Sequence, residues 1–342
     1  MKMTVFRSGR GAALAGVLAI SATLLAGSAW AEVDEVRLAQ QFGISYLPLT
    51  VMRHEGLLKH AAEQAGIKGL KTSWKHFGAG NAMNEALLSG NLDVASGGVG
   101  PLLTIWSKTK GRQNVKAICA INSMPLYLNV NKPGIKTLKD LTSADRIALP
   151  AVKVSIQAVT LQMAAAKVFG EKNYNKLDPL TVSMKHPDAL AALLSGGSEI
   201  IGHFGSPPYQ YQELENPKIH RLVNSYDVLG GPATFNVVYA LKSFRDDNPK
   251  VYGAFLKALD EAEAFIKKDP HRAAQIYIEE EHSKLPVAFI EKMIRDPEVD
   301  YTTTPRNVMK YADFMSKIGS IDNKPASWKD LFFPEIHSAK GS

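Results

Sequence analysis

Short apolar runs rich in β-branched residues alternate with amphipathic helical segments along most of the chain. The first alternation predicts a strand at 36–39, a helix over 49–65 and a second strand at 70–74. Such an order is typical of an α/β protein, in which crossover helices cover the faces of a sheet. The same alternation predicts further strands at 92–95, 115–120, 126–130, 147–149, 180–183, 200–201 and 234–240, and helices at 82–88, 155–168 and 188–194.

From residue 241 the pattern becomes mainly helical, and proline marks the predicted helix starts. Asn248-Pro249, Asp269-Pro270 and Thr304-Pro305 each pair a capping residue with proline at the first helical position. Leu285-Pro286 marks a fourth start. The acidic run 279–281 falls within this region, and we interpret it as the solvated face of a helix rather than as a site.

One short segment, Ala-Leu-Leu-Ser-Gly, occurs twice, starting at Ala86 and again at Ala192. In both copies it is followed by a short strand, a loop of small residues and a proline, which is Pro101 in the first copy and Pro207 in the second. We interpret the two copies as two lobes built on one α/β plan.

Two such lobes would face each other across a cleft. In open α/β sheets, ligands bind beyond the carboxyl ends of the strands. Helix N-termini lie at the same edge, and their free N–H groups and positive dipole ends favour negative charge. The repeat therefore predicts a site for an anion between the lobes.

The N-terminal segment has the features of a secretory signal peptide. Basic residues up to Arg10 precede the uncharged stretch 11–27, and Ala29-Trp30-Ala31 supplies a small-x-small cleavage motif. We therefore predict that residues 1–31 are removed and that the protein is exported to the periplasm. The alternative is a membrane anchor, but that needs about 18 uninterrupted apolar residues, and this stretch is shorter.

Composition indicates the number of domains, and the net charge argues against a nucleic-acid partner. The chain has 342 residues, 45% of them hydrophobic, which suits two globular domains. Its net charge of +7 falls to about +4 without the signal peptide, because three of the basic residues lie there. We therefore expect no nucleic-acid partner.

The sequence offers little for catalysis. A single cysteine, Cys119, excludes an intramolecular disulfide and multi-cysteine zinc or iron–sulfur sites, and its apolar strand predicts an unreactive thiol. His54-Glu55 lacks the second histidine of a zinc-protease helix, and Ser206 lacks the Gly-x-Ser-x-Gly context of a nucleophile. We expect no catalytic residue, no metal and no cofactor.

Three loops of the first lobe could contact an anion. The loop 40–46 carries amides, a hydroxyl and the rings of Phe42 and Tyr46, although ordinary loop polarity explains it equally well. The turn 77–81 contains two glycines, whose backbone N–H groups can approach an anion closely, or it is a plain tight turn. The loop 96–101 contains three glycines, which leave no side chain to clash with a bound molecule.

Two loops of the second lobe are further candidates. In 202–207, His203 could be a cationic partner for an anion near pH 6.5, or a hydrogen-bonded structural residue. In 151–157, Ser155 is a natural helix N-cap whose hydroxyl could also face the cleft, while Lys153 could supply charge or be solvated. The candidate ligand-binding residues are Phe42, Tyr46, Gly78, Ala79, Gly80, Asn81, Gly97, Gly98, Val99, Lys153, Ser155, Gln157, His203, Phe204, Ser206 and Asn236.

Six segments carry a resemblance to a known family. They are 36–39, 54–58, 77–81, 85–100 with its Leu-Ser-Gly-Asn-Leu-Asp core, 135–141 and 187–196. In their order and spacing they resemble the substrate-binding proteins of bacterial ABC importers in the sulfonate, nitrate and taurine group, which includes relatives of thiamine-pyrimidine synthesis proteins. The resemblance covers essentially all of the chain after the signal peptide.

The resemblance implies a type II periplasmic binding fold, an α/β architecture with two lobes, two crossing segments and a C-terminal helical region. We expect lobe 1 at 32–129 and 231–342 and lobe 2 at 130–230, with crossings near Val130 and Gly230. In the family, the lobes close on a ligand and a membrane permease senses the closure. We therefore expect a monomeric periplasmic protein that captures a small organic anion and delivers it to an ABC permease in the inner membrane.

The sequence departs from the sulfonate-type pattern at one place. Gly205-Ser206 stands before Pro207, where the resemblance implies an aromatic residue followed by an acid. This opens the pocket and removes a negative charge, so we expect a bulkier anion, such as an aromatic carboxylate or sulfonate, with Phe42, Tyr46 or Phe204 as stacking walls.

Two alternative functions remain open at this point. One is a ligand sensor that docks on a membrane receptor instead of a permease. The other is an enzyme on the same fold that makes the thiamine-pyrimidine precursor. The resemblance implies a cysteine-rich iron motif for that enzyme, and a chain with one cysteine cannot contain it.

Overall fold

The computed structural model describes residues 32–342, so the predicted signal peptide at 1–31 lies outside the described residues. The strands are β1 Glu35–Gln40, β2 Lys71–His76, β3 Val94–Gly98, β4 Lys116–Ala120, β5 Tyr127–Val130, β6 Arg146–Leu149, β7 Thr181–Ser183, β8 Ile200–Phe204, β9 His220–Asn224 and β10 Asn236–Ala240. The α-helices are α1 Leu47–His54, α2 Leu57–Gln64, α3 Gly80–Leu88, α4 Val99–Thr109, α5 Ile156–Phe169, α6 His186–Ser195, α7 Tyr209–Leu214, α8 Ser225–Leu229, α9 Lys242–Asp247, α10 Pro249–Lys268, α11 Pro270–Glu280, α12 Val287–Ile294, α13 Val308–Lys317 and α14 Trp328–Leu331.

These strands form two five-stranded sheets with equivalent topology. The first has the order β2-β1-β3-β10-β4 and the second the order β7-β6-β8-β5-β9. In each, one strand is antiparallel to its neighbours. It is the last strand along the chain in the first sheet, β10 between β3 and β4, and the first along the chain in the second sheet, β5 between β8 and β9. Helices cover the faces of both sheets, so the predicted two-lobed α/β fold with a C-terminal helical region is confirmed.

The chain passes between the sheets twice, at 121–126 and at 225–235. Gly230 lies within the second passage. Val130 is the last residue of β5, so the first passage ends before it. The boundaries at 129/130 and 230/231 stay a prediction, and below we use "first lobe" and "second lobe" for the parts built on the first and second sheet.

The internal repeat is present in the fold. α3 and α6 start at Gly80 and His186, and β3 and β8 start at Val94 and Ile200, so each pair is 106 residues apart. Both helices lead into a left-handed glycine with φ near 70°, a conformation in which glycine avoids the Cβ clash of other residues. The two lobes therefore use the same helix, turn and strand unit.

Several predicted helix boundaries hold and others are wrong. α10 and α11 start at Pro249 and Pro270 as predicted. The predicted start at Thr304-Pro305 is wrong, because α13 begins at Val308 after Asn307, whose φ of 53° is left-handed. The single helix predicted over 49–65 is divided into α1 and α2 by Gly56, whose φ of 65° is outside the helical region.

The C-terminal helices pack against both lobes, and α11 covers α1. Of the acidic run, only Glu279 is exposed. Glu280 forms an ion pair with Arg53 on α1 at 2.8 Å, and Glu281 lies 3.5 Å from the same guanidinium. The interpretation of this run as a solvated face is therefore wrong for two of its three residues.

Two further findings concern Cys119 and the membrane. Cys119 lies fully buried in β4, as its apolar strand predicted. None of the described helices combines the length and apolarity needed to span a membrane.

Candidate ligand-binding cleft

A small cavity lies between the two lobes, at the carboxyl ends of the parallel strands. Its volume is about 10 Å³, which is room for roughly one water molecule. The first lobe contributes Gln41, Phe42, Tyr46, Gly80, Gly98, Pro101 and Phe235, and the second contributes Pro150, Ser155, Ile156, Gln157, His186 and Ser206. The lobes are thus closed on each other around the cavity.

Besides α1, which begins one residue after Tyr46, four helices of eight or more residues start at this cavity. α3 starts at Gly80 and α4 directly after Gly98 in the first lobe. In the second lobe, α5 starts after Ser155, whose Oγ caps it by accepting from the N–H of Ala158 at 3.2 Å, and α6 starts at His186. The free N–H groups and positive dipole ends of all four helices therefore surround the cavity.

Two hydroxyl groups in the cavity wall have a proton to donate. The Tyr46 hydroxyl oxygen accepts from Nε2 of Gln41 at 2.9 Å and from Nδ2 of Asn236 at 2.5 Å, so its own proton is left for a ligand. Burial raises the pKa of Tyr46 well above its usual value, which keeps the group protonated. The Ser206 side chain is 1% exposed, and its Oγ has no hydrogen-bond partner.

His186 is the histidine that lines the cavity. Its Nδ1 lies 2.8 Å from Nε2 of His203, and Nδ1 of His203 contacts a carboxylate oxygen of Glu213. On the cavity side, Nε2 of His186 lies 3.4 Å from Nε2 of Gln157. Burial, together with the neighbouring His203, lowers the pKa of His186 well below its usual value, so the ring is neutral at pH 7.

The cavity wall carries no side chain that is charged at neutral pH. Within the described residues that line it, none is Lys, Arg, Asp or Glu. What it offers to a ligand is helix dipoles, hydroxyl protons and amide groups. Such a wall can stabilise an anion by neutral donors, as helix N-termini do in phosphate sites.

The glycine-rich loop 96–101 makes room for the opposite lobe. A Cβ at Gly98 would lie 2.7 Å from Cγ2 of Ile156, and a Cβ at Gly100 would lie 3.0 Å from the carbonyl oxygen of Val154. Both contacts are between lobes. The contact at Gly98 is too close for a Cβ, and the contact at Gly100 is tight enough that Val154 would have to shift. These glycines therefore allow the N-terminus of α5 to meet the start of α4.

A second contact between the lobes involves Gly43. Its φ is 118°, and a Cβ there would lie 2.7 Å from the carbonyl oxygen of Pro207. The same oxygen accepts a hydrogen bond from the N–H of Ile44 at 3.2 Å. The loop after β1 is thus bonded by its backbone to the loop after β8 in the closed arrangement.

A larger hollow, about 420 Å³ in volume, opens beside the cavity. Phe42 borders both spaces. Its ring stacks on His76 with centroids 5.4 Å apart, and the ring of Tyr209 in the hollow stacks on His186 at 5.6 Å. Lys284 and Glu281 also line the hollow, so its walls combine aromatic faces with both signs of charge.

The structure brings seven of the sixteen candidate residues to the cavity wall. They are Phe42, Tyr46, Gly80, Gly98, Ser155, Gln157 and Ser206. The others, which do not line it, are Gly78, Ala79, Asn81, Gly97, Val99, Lys153, His203, Phe204 and Asn236. Of these, Asn236 binds the Tyr46 hydroxyl, His203 lies behind His186, Phe204 is buried within β8 and Lys153 is exposed. The roles of all sixteen in binding stay predictions.

Sequence reasoning missed six residues of the wall, and one of them had a signal. His186 occupies the position 106 residues after Gly80, so extending the repeat from Ala192 back to the start of the same helix would have placed it at the cleft. Gln41 is one of the amides of the candidate loop 40–46 but was not singled out, and Pro101, Pro150, Ile156 and Phe235 carry no chemical signal that separates them from loop and core residues.

Comparison with known proteins places this arrangement in a family. The profile of the NMT1-like family matches residues 29–278, about three quarters of the chain. The chain belongs to the NMT1-like family. No curated protein matches its sequence.

The fold of this NMT1-like chain is similar to that of solved binding proteins. The alkanesulfonate-binding protein SsuA from Xanthomonas axonopodis pv. citri, bound to MOPS, is similar with a TM-score of 0.68 and 19% identity, over 86% of this chain and 96% of that one. The periplasmic aliphatic sulphonate binding protein SsuA from Escherichia coli has a TM-score of 0.62 and 19% identity, over 88% and 92%. The periplasmic nitrate-binding protein NrtA from Synechocystis PCC 6803 has a TM-score of 0.65 and 15% identity, over 88% and 84%. The family match and the shared fold confirm the resemblance found in the sequence.

Proposed function

We propose that this NMT1-like protein is the periplasmic ligand-binding component of an ABC importer and that it captures a small organic anion between its lobes. The observation that carries the proposal is the convergence of four helix N-termini on a cavity with two free hydroxyl donors, Tyr46 and Ser206. Solved proteins of the same fold bind alkanesulfonates or nitrate, which supports an anion as the ligand class.

The sizes of the cavity and of the hollow indicate which part of such a ligand each of them holds. The closed cavity of about 10 Å³ has no room for a ring. The adjoining hollow of about 420 Å³ has aromatic walls, with Phe42 between it and the cavity. We infer a ligand whose anionic head lies among the helix starts and whose organic part extends past Phe42, an aromatic sulfonate or carboxylate being one example.

Opening of the lobes is part of the proposed cycle. A cavity with room for one water cannot admit a ligand from solvent, so the contacts of Gly98 with Ile156 and of Ile44 with Pro207 must separate first. A ligand that contacts both lobes then shifts the equilibrium back to the closed form. A membrane permease would recognise that closed form.

A binding role also fits the chemistry of the wall better than catalysis does. Among the described residues, neither hydroxyl is hydrogen-bonded to a base that could activate it, because the Tyr46 hydroxyl accepts from two amides and Oγ of Ser206 has no partner. We therefore infer a receptor and not an enzyme.

The proposal is tested by a thermal-shift screen of the purified protein against nitrate, taurine, methanesulfonate, benzenesulfonate and benzoate. A bound anion at 100 times its dissociation constant should stabilise the fold by about 2.7 kcal/mol. Ser206→Ala should reduce the shift, whereas Ser195→Ala, an exposed serine at the end of α6, should not. A shift produced by a cation or a neutral pyrimidine, with none from any anion, would refute the proposal.

A further inference from the structure

Three titratable side chains form a chain that runs from the core of the second lobe to the cleft. A carboxylate oxygen of Glu213 contacts Nδ1 of His203, and Nε2 of His203 lies 2.8 Å from Nδ1 of His186. Glu213 and His203 are fully buried, and His186 is 5% exposed. Of the three, only His186 lines the cavity, so the chain links the ligand site to a buried acid.

The hydrogen bonds around Glu213 set the direction of the chain. An ionised carboxylate only accepts, so Nδ1 of His203 donates to it. The second carboxylate oxygen accepts from Nδ2 of Asn129 at 2.8 Å. That nitrogen also donates to the carbonyl oxygen of Gln210 at 2.9 Å, which holds the Asn129 amide in this orientation. The remaining freedom is the protonation of Nε2 of His203.

The proton on Nε2 of His203 decides whether His186 presents a hydrogen-bond donor or an acceptor to the cavity. When Nε2 of His203 is protonated, it donates to Nδ1 of His186, and the proton of neutral His186 lies on Nε2, which faces the cavity as a donor. When Nε2 of His203 is bare, it accepts from Nδ1 of His186, and Nε2 of His186 faces the cavity as an acceptor. Gln157, at 3.4 Å, can match either state by turning its amide.

Charge balance favours the donor state when an anion is bound. With both ring nitrogens of His203 protonated, His203 and Glu213 together are neutral. Loss of the proton leaves one negative charge buried directly behind the cavity, where it is costly and repels an anion. An anion in the cleft therefore raises the affinity of the chain for the proton.

We propose that Glu213, His203 and His186 form a proton relay, through which the binding of an anion in the cleft is coupled to the uptake of one proton. The proposal rests on the proposed function, because it requires an anion among the helix starts. His186 is the group that touches the ligand, whereas Glu213 and His203 are positioning residues that act through it.

Other titratable groups lie on the elements packed around the relay. They are Lys185 and Asp188 at the start of α6, Tyr209 and Tyr211 on α7, Tyr127 on β5 and Arg146 on β6. Lys185 and Asp188 form an exposed pair 3.5 Å apart. Burial raises the pKa values of Tyr127, Tyr209 and Tyr211, so these three stay protonated through the neutral range. None of these groups replaces the relay as a proton acceptor facing the cavity, since none lines it.

The test uses nitrate and methanesulfonate, which remain ionised from pH 5 to pH 9, in isothermal titration calorimetry. The relay predicts that affinity falls as the pH rises, with a limiting slope of about tenfold per pH unit for one proton. It also predicts that the binding enthalpy changes with the ionisation enthalpy of the buffer, which reports up to one proton taken up per anion. Constant affinity and buffer-independent enthalpy in an anion-binding wild type overturn the relay.

Glu213→Gln separates a relay from a merely structural contact. Because Asn129 donates to one side of this side chain, the amide oxygen of the variant faces Asn129 and its NH₂ donates to Nδ1 of His203. His203 and His186 are then held in the donor state at every pH. We expect anion affinity near that of the wild type at low pH, without pH dependence and without proton uptake. Glu215→Gln, an exposed change of the same charge at the end of α7, should keep the wild-type profile.

A third measurement needs neither a ligand nor a variant, so it tests the relay even if Glu213→Gln does not fold. In ¹⁵N-histidine spectra of the free wild-type protein, the protonated nitrogen of His186 should change from Nε2 to Nδ1 as the pH is raised. One fixed tautomer from pH 5 to pH 9 overturns the relay. If the tautomer switches but no anion of the thermal-shift screen binds, the proposed function and the coupling to an anion both fail, and only the proton chain itself is supported.

Discussion

The close approach of Gly98 to Ile156 across the cleft makes closure sensitive to one methyl group. In Gly98→Ala the new Cβ would lie 2.7 Å from Cγ2 and 2.9 Å from Cβ of Ile156, far inside the usual carbon–carbon contact of about 3.5–4.0 Å. Overpacking of this kind costs about 1–3 kcal/mol. Because the two residues lie on different lobes, an open protein avoids the clash. The cost therefore falls on closure and not on the folding of either lobe.

The expected effect on binding follows directly. If closing of the lobes becomes less favourable by about 1–3 kcal/mol, the affinity for a ligand that binds the closed form falls by about 5- to 150-fold. Isothermal titration calorimetry with the best anion of the screen measures this, and thermal melting without ligand should show a much smaller change.

The neighbouring glycine supplies a matched control. A Cβ at Gly97 would make only ordinary contacts, the nearest at 3.5 Å from the Tyr239 hydroxyl within the same lobe. Gly97→Ala should therefore bind nearly as the wild type does. Wild-type affinity in Gly98→Ala, or equal losses in the two variants, would refute the role of Gly98 in closure.

Three further predictions concern other parts of the molecule. Burial raises the pKa of Glu263 to about 8 and leaves its Oε1 unpartnered. Between pH 4.5 and pH 8 the native state thus holds a proton that the unfolded state releases, so stability falls as the pH rises, by about 3 kcal/mol at pH 7. Glu263→Gln should remove this loss in urea denaturation, and an unchanged pH dependence would contradict it. Tyr46→Phe removes a donor to a charged ligand, so calorimetry should show a loss of about 1.5–3 kcal/mol in anion binding, and full retention would place the ligand elsewhere. Gly43→Ala meets both a left-handed φ and the Pro207 carbonyl, so it should weaken binding more than Gly78→Ala, whose Cβ meets only Cβ of Lys185 at 3.5 Å.

Sequence patterns predicted most of the fold because strand and helix formation depends largely on residues that are neighbours along the chain. The strand runs and the caps before Pro249 and Pro270 concern neighbours in sequence, and they place β1 to β8, β10, α10 and α11 well. β9, at 220–224, was missed because its sequence His-Arg-Leu-Val-Asn carries polar residues at both ends and pairs only with β5. Thr304-Pro305 has a helix-start signature, but the chain delays the helix until Val308.

The site was harder to predict because it depends on what meets across the cleft. The position of Ser155 as an N-cap is local and was predicted, whereas the contact of Gly98 with Ile156 joins residues far apart in sequence. The same limit explains the histidines. His203 was singled out as a lone titratable group in its loop, but the fold buries it and turns His186 to the cavity.

The central claim is that an anion binds between the lobes among the four helix starts. The most direct test is a crystal structure of the protein with the anion that gives the largest thermal shift. The account predicts that an oxygen of the anion lies within hydrogen-bond distance of both the Tyr46 hydroxyl and Oγ of Ser206, about 2.5–3.0 Å. An anion found only in the hollow beside Lys284, or outside the cleft, would contradict it.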